Sequence, residues 1–161
     1  MKQPMNDPSP SVSEVTFMMG EFAAKFPTDR QYAKNHMWAE PRGDVIRFGF
    51  TAYAVRLLQD VYFLDWTVNA GARLSPRQEI GNIESKKAES ALYAPLGGTL
   101  TRFNEALLKD PSAINVDKYG GGWLFEMAGA NDSLLSPEEY VQHLVSVWEV
   151  TQRTIKGQLN E

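Results

Sequence analysis

The feature that most constrains how this chain can fold is the spacing of its breaks. Between residues 31 and 127, Pro, Gly, Asn and Asp recur every few positions and leave room only for short β-type runs. Strands are expected at 36–40 and 44–50, joined by a turn at Pro41, Arg42 and Gly43. Thr51 then reads as the N-cap of a short helix carrying Tyr53, Ala54, Leu57 and Leu58 and ending near Asp60. The apolar run 61–66 follows, then a turn at 69–71 and strands at 78–85, 88–93 and 99–103. Asn104 is placed to cap a helix through Leu107 and Leu108, and a last strand is expected at 123–127. One echo links two of these runs: Gly43-Asp44-Val45-Ile46-Arg47-Phe48 is similar to Gly98-Thr99-Leu100-Thr101-Arg102-Phe103. Short strands without alternating long helices favour a mainly β sandwich or small barrel over a parallel α/β sheet.

Helical periodicity is confined to the ends. Val12, Val15, Met18, Met19, Phe22 and Phe26 recur at helix spacing and predict an N-terminal helix over about 12–25, behind a polar segment, 1–10, that contains three prolines and is expected to be disordered. At the other end Ser136, Pro137 and Glu139 form a capping box, and Tyr140, Leu144, Val147, Trp148, Thr151 and Ile155 mark one long amphipathic helix. The 161 residues suit one domain. The expected division is 1–30 as tail and helix, 31–130 as the β domain, and 131–161 as a C-terminal helix packed on it.

Several function classes find no support. A formal charge of −4 with scattered Lys and Arg offers no stripe for a nucleic-acid backbone. The apolar stretches are too interrupted for a membrane span or signal core, so the protein is expected to be soluble and cytoplasmic. There is no cysteine, which excludes thiolate metal sites and thiol nucleophiles, and the two histidines, His36 and His143, lack metal spacing. No nucleophile stands beside a base, so a catalytic site of its own is not expected. His36, ahead of Trp38, is expected to be a hydrogen-bonded structural residue. Trp38, Phe48, Tyr62, Trp66 and Trp123 are expected in the core. Gly120 to Gly122 is no phosphate loop, because no Lys-Ser or Lys-Thr pair follows.

The segment with chemical promise lies between the strands at 78–85 and 88–93. A tight hairpin there exposes Lys86 and Lys87 at its tip, where a lysine amine can be acylated and its four-carbon stem adds reach. Spacing alone leaves the pair as either solubilising residues or a modification site. Glu84-Ser85-Lys86-Lys87-Ala88, followed by Tyr93-Ala94-Pro95-Leu96-Gly97-Gly98, resembles the lipoyl site of glycine cleavage H proteins. The resemblance continues through Tyr32-Ala33-Lys34-Asn35-His36-Met37-Trp38, Gly49-Phe50-Thr51-Ala52-Tyr53-Ala54, Asn104-Glu105-Ala106-Leu107 and Tyr119-Gly120-Gly121-Gly122-Trp123-Leu124, and covers about residues 31–145. It implies a barrel-like β-sandwich of the lipoyl/biotinyl hybrid type, with short flanking helices. It also implies a non-catalytic carrier with lipoic acid in amide linkage on Lys87, and a hairpin recognised through Glu84 and Ala88.

The resemblance breaks at the arm's surroundings. Where glycine cleavage H proteins place a Ser, a Glu and a further acid around an aminomethyl-loaded arm, this chain has Asn35, Met37 and Ala91, with His36 between the first two. Either a nearby Glu40 or Glu89 compensates in a divergent H protein, or the cargo differs. In the second respect the chain resembles the lipoate-binding proteins of heterodisulfide-reductase-like sulfur oxidation, whose sulfur cargo carries no cationic amine. The implied partners are a lipoate-attaching enzyme, then either a heterodisulfide-reductase-like complex or the glycine cleavage enzymes, with dihydrolipoamide dehydrogenase as a further one. A different class, an unmodified interaction module that keeps the fold without the arm, is disfavoured by the intact Glu84, Lys87 and Ala88.

Overall fold

A computed structural model describes residues 13–160, with side chains to residue 152. The expected disorder of 1–10 lies outside the described residues. Among the described residues eleven strands and four helices follow in order: β1 Glu14–Met19, β2 Phe22–Pro27, β3 Gln31–Tyr32, β4 Met37–Arg42, β5 Val45–Phe50, α1 Ala52–Leu58, β6 Val61–Trp66, β7 Arg73–Leu74, β8 Glu79–Ser85, β9 Glu89–Tyr93, β10 Gly98–Phe103, α2 Ala106–Lys109, α3 Ala113–Val116, β11 Phe125–Ala128 and α4 Pro137–Asn160. Six strands pair in the order β3-β4-β5-β11-β10-β7 and three in the order β6-β8-β9. The two sheets meet face to face, with Phe48, Leu100, Phe125 and Met127 from the larger packed with Leu64, Ile80, Ile83 and Leu92 from the smaller in one buried cluster. The result is a sandwich whose sheets stay separate, not the barrel-like closure expected. The echoing segments flank β11 on either side, both antiparallel to it.

The N-terminal helix is corrected to a hairpin. β1 and β2 pair from Glu14 opposite Pro27 to Met19 opposite Phe22. The turn is Gly20-Glu21, with Gly20 at φ +64°, a conformation that favours glycine at the first position of a two-residue hairpin loop. Around that turn Phe17, Met19, Ala24 and Phe26 point inward at period two, while Met18, which the helical spacing had grouped with them, is 51% exposed. The hairpin closes a second core with Tyr32, Trp38, Tyr53 and, from α4, Tyr140 and Leu144. Phe26 is fully buried and meets Tyr32 and Tyr140 edge-on at 5.9 and 5.0 Å between centroids. Phe26→Ala is therefore expected to lower stability by about 3–5 kcal/mol in urea titration; a loss below 1 kcal/mol would mean that the hairpin contributes little.

The ends of the helices follow their sequence signals. Thr51 Oγ1 accepts the Ala54 amide at 3.3 Å and starts α1. The Ser136 box is reciprocal: the Glu139 amide donates to Ser136 Oγ at 3.1 Å and the Ser136 amide to Glu139 Oε1 at 2.8 Å. α2 departs from its expected cap: Glu105 occupies the N-cap without a side-chain cap bond, and Asn104, one residue earlier, accepts the Ala106 amide at 3.3 Å. Paired backbone bonds between Tyr32 and Leu135, at 2.9 and 2.7 Å, tie the start of the C-terminal segment to the edge of the larger sheet. No described helix is long and apolar enough to cross a membrane. Of the aromatics assigned to the core, Trp38 and Phe48 are buried, and Trp66 is half-buried and stacked on Phe103 at 4.9 Å. Trp123 is half-buried beneath Arg47 and Arg102, at 4.0 and 5.1 Å. Tyr62 departs from expectation at 61% exposed, because it sits at an irregularity in the β6–β8 pairing that turns it outward.

Candidate functional site: an exposed lysine beside an apolar cavity

β8 and β9 pair down to Glu84 opposite Glu89, leaving Lys86, Lys87 and Ala88 as a loop beyond Ser85. Ser85 is 5% exposed and closes that loop: its amide donates to Ala88 O at 2.8 Å, while its hydroxyl contacts both the carbonyl and the amide of Ala88 at 3.1 Å. The loop is also moored from outside. The Lys86 amide donates to Asp60 O at 2.8 Å and the Lys87 amide to Leu58 O at 3.3 Å, so both backbones are held against the α1–β6 connection. That connection is itself fixed by Asn115, whose Nδ2 donates to Gln59 O at 2.6 Å and whose Oδ1 accepts the Val61 amide at 2.9 Å. Gln59 needs the support, since it sits at φ +59°.

On this rigid base both lysine side chains are exposed, and neither has an ion pair or side-chain hydrogen bond among the described residues. Glu84 is half-buried and faces Glu89 across the strands, two like charges whose repulsion is tolerated beside the lysines.

Next to the loop is a cavity of about 370 Å³. It gathers Asn35, His36, Met37, Ala88 and Ala91 from two separate parts of the chain, with Leu58 and other apolar side chains completing the wall. Glu84 does not line it. No carboxylate is among the lining residues, and the compensating acids considered from sequence are elsewhere: Glu40 is engaged with Arg42 at 3.2 Å and Arg30 at 3.7 Å, and Glu89 is exposed on the outside of β9. Asn35 donates from Nδ2 to Tyr93 O at 3.0 Å, leaving its Oδ1 buried without a partner among the described residues.

His36 belongs to the turn before β4 and not to the strand itself, and it adopts φ +72°. Its amide donates to Ala33 O at 3.1 Å and its carbonyl accepts the Thr51 amide at 3.1 Å. The ring lies 4.6 Å from Tyr53 between centroids, and its Nδ1 and the Tyr140 hydroxyl are hydrogen-bonded at 2.9 Å. Burial, with a smaller contribution from His143, pushes its pKa down to about 4, so the ring is neutral at neutral pH. Ser85 was legible only as part of the Glu84-Ser85-Lys86-Lys87-Ala88 motif and Asn115 carried no signal, and nothing in the pattern of α4 distinguished Tyr140 from an ordinary core position.

The sequence and fold have close parallels. A family model described as glycine cleavage H-protein matches residues 30–147. The probable glycine cleavage system H protein of Natronomonas pharaonis is 41% identical over 117 residues, covering 71% of this chain and 92% of that one. The glycine cleavage system H protein of Rubrobacter xylanophilus is 38% identical over 122 residues, covering 75% and 96%. Among solved structures, a glycine cleavage system H protein from Mycobacterium marinum superposes with a TM-score of 0.65 at 35% identity, over 73% of this chain and 97% of that one. The hairpin β1–β2 precedes the matched segment.

Proposed function

We propose that this chain, which belongs to the glycine cleavage H-protein family, is a lipoyl carrier without a reaction of its own, and that Lys87 holds the lipoyl group in amide linkage. The observation that carries this reading is the exposed, unpaired lysine on a loop moored through its backbone, directly beside an apolar cavity. The aliphatic walls suit a hydrocarbon arm. When bound, lipoate would supply the redox-active sulfurs that a chain without cysteine lacks. Lys87 contributes the attachment atom and reach. Glu84 and Glu89 set a negative field next to it, on which a lipoate-attaching enzyme can orient. An unmodified interaction module would have no use for this arrangement.

For the cargo, the names of the relatives support exchange with glycine cleavage enzymes; the cargo would then be an aminomethyl group, and dihydrolipoamide dehydrogenase would reoxidise the arm. A second reading draws on the acid-free cavity, which offers a cationic amine no counter-charge and suits a sulfur intermediate passed to a heterodisulfide-reductase-like complex. Both readings put the carrier in the cytoplasm with its partner enzymes; the relatives favour the first. Glycine-dependent carbon dioxide exchange decides between them, using a glycine decarboxylase and protein whose mass already shows the arm. Exchange by the wild type that is abolished in Lys87→Arg is the expected result; no exchange by the fully modified wild type would overturn the aminomethyl reading in favour of the sulfur one.

A further inference from the structure

The hydroxyl relay behind the cavity fixes where His36 carries its proton. Thr51 is completely buried, and its Oγ1 already accepts the Ala54 amide. Its own hydroxyl proton has one acceptor within reach among the described residues, Tyr140 Oη at 2.9 Å. If Tyr140 donated to Thr51 instead, the Thr51 proton would be stranded in a dry interior. With Thr51 donating, the Tyr140 proton passes to the other partner of that oxygen, His36 Nδ1 at 2.9 Å. An imidazole that accepts at Nδ1 and is uncharged must carry its hydrogen on Nε2.

Nε2 has no protein partner among the described residues, and His36 is one of the residues that line the cavity, as Ala88 is. The wall is otherwise mostly apolar, with Asn35 Oδ1 its unpaired acceptor, so the His36 N–H is the group there that can donate to the polar end of a ligand. An unpaired N–H on an apolar wall rewards an acceptor, most of all an anionic one, and gains nothing from a cationic amine that brings only further donors.

We propose that Thr51 and Tyr140 hold His36 as the Nε2–H tautomer, and that this N–H is the group with which the cavity holds a sulfur of the reduced arm, thiol or thiolate. The arm's part in this rests on the lipoyl-carrier reading above; the tautomer does not. His36 is then a positioning residue for the parked arm, and Tyr140 acts through it.

Long-range proton–nitrogen NMR correlation of the two imidazoles in ¹⁵N-labelled unmodified protein tests the first half directly. The expected pattern for His36 is a protonated Nε2 and a bare Nδ1, which changes toward a mixture in Tyr140→Phe; a protonated Nδ1 in the wild type would overturn the proposal. The second half uses protein whose intact mass shows the arm. Reduction of that arm is expected to shift the His36 Nε2 resonance and leave His143 unmoved, and an unmoved His36 would remove the arm contact. If no arm can be installed, the carrier reading and the arm contact both fail, while the tautomer stands or falls on the unmodified protein alone.

Discussion

Replacing Met37 by Glu and Ala91 by Asp is expected to lengthen the lifetime of an aminomethyl cargo on the arm at least ten-fold. Both positions line the cavity, and Met37 is only 1% exposed, so a carboxylate there would meet the cargo's ammonium with little water between them. Charge-assisted hydrogen bonds in such a setting contribute about 1.5–3 kcal/mol each, and about 1.4 kcal/mol is a factor of ten. The same desolvation has an opposite effect before loading. An unpaired carboxylate at position 37 is costly in an apolar wall, so the unloaded variant should melt earlier and recover when the amine arrives. Hydrolysis of the cargo, followed as formaldehyde release from wild type and variant, measures the lifetime. Equal lifetimes in a variant that keeps the wild-type spectrum would show that the arm's end does not sit near these two residues.

The hairpin that presents Lys86 and Lys87 was legible in the sequence because its information is local. Two strand runs bracket a three-residue loop, and Glu84-Ser85-Lys86-Lys87-Ala88 fixes its register without help from the rest of the chain. Thr51 and the Ser136 box were legible for the same reason, each being a side chain that satisfies an amide three residues away. The N-terminal segment misled because six apolar residues in fifteen positions fit helical spacing, whereas Gly20-Glu21 carried the hairpin signal in only two. Tertiary burial of Phe17, Met19, Ala24 and Phe26 against α4 then favours period two. The cavity lay partly in view. The resemblance grouped Asn35, His36, Met37 and Ala91, and the fold brings them together. Asn115, Tyr140 and the Leu58 and Asp60 carbonyls act across long separations, through contacts that no local pattern encodes. Glu40 illustrates the converse: close in sequence to Met37, it alternates to the other side of β4 and is spent on Arg30 and Arg42.

The arm is expected on Lys87 and not on Lys86. Both lysines are exposed and lack ion pairs among the described residues, so exposure does not separate them. What separates them is position: Lys87 directly precedes Ala88, the loop residue that lines the cavity, whereas Lys86 adjoins the closing Ser85. Arginine keeps the charge at either site and offers no amine for an amide bond, so Lys87→Arg should fold normally and lose carrier function completely. Wild type, Lys86→Arg and Lys87→Arg would each be incubated with lipoate, ATP and a competent lipoate-attaching enzyme, and weighed intact by mass spectrometry. One lipoyl group gained by the wild type and by Lys86→Arg, with none on Lys87→Arg, is the predicted result; modification of Lys87→Arg, or of none of the three, would contradict the assignment.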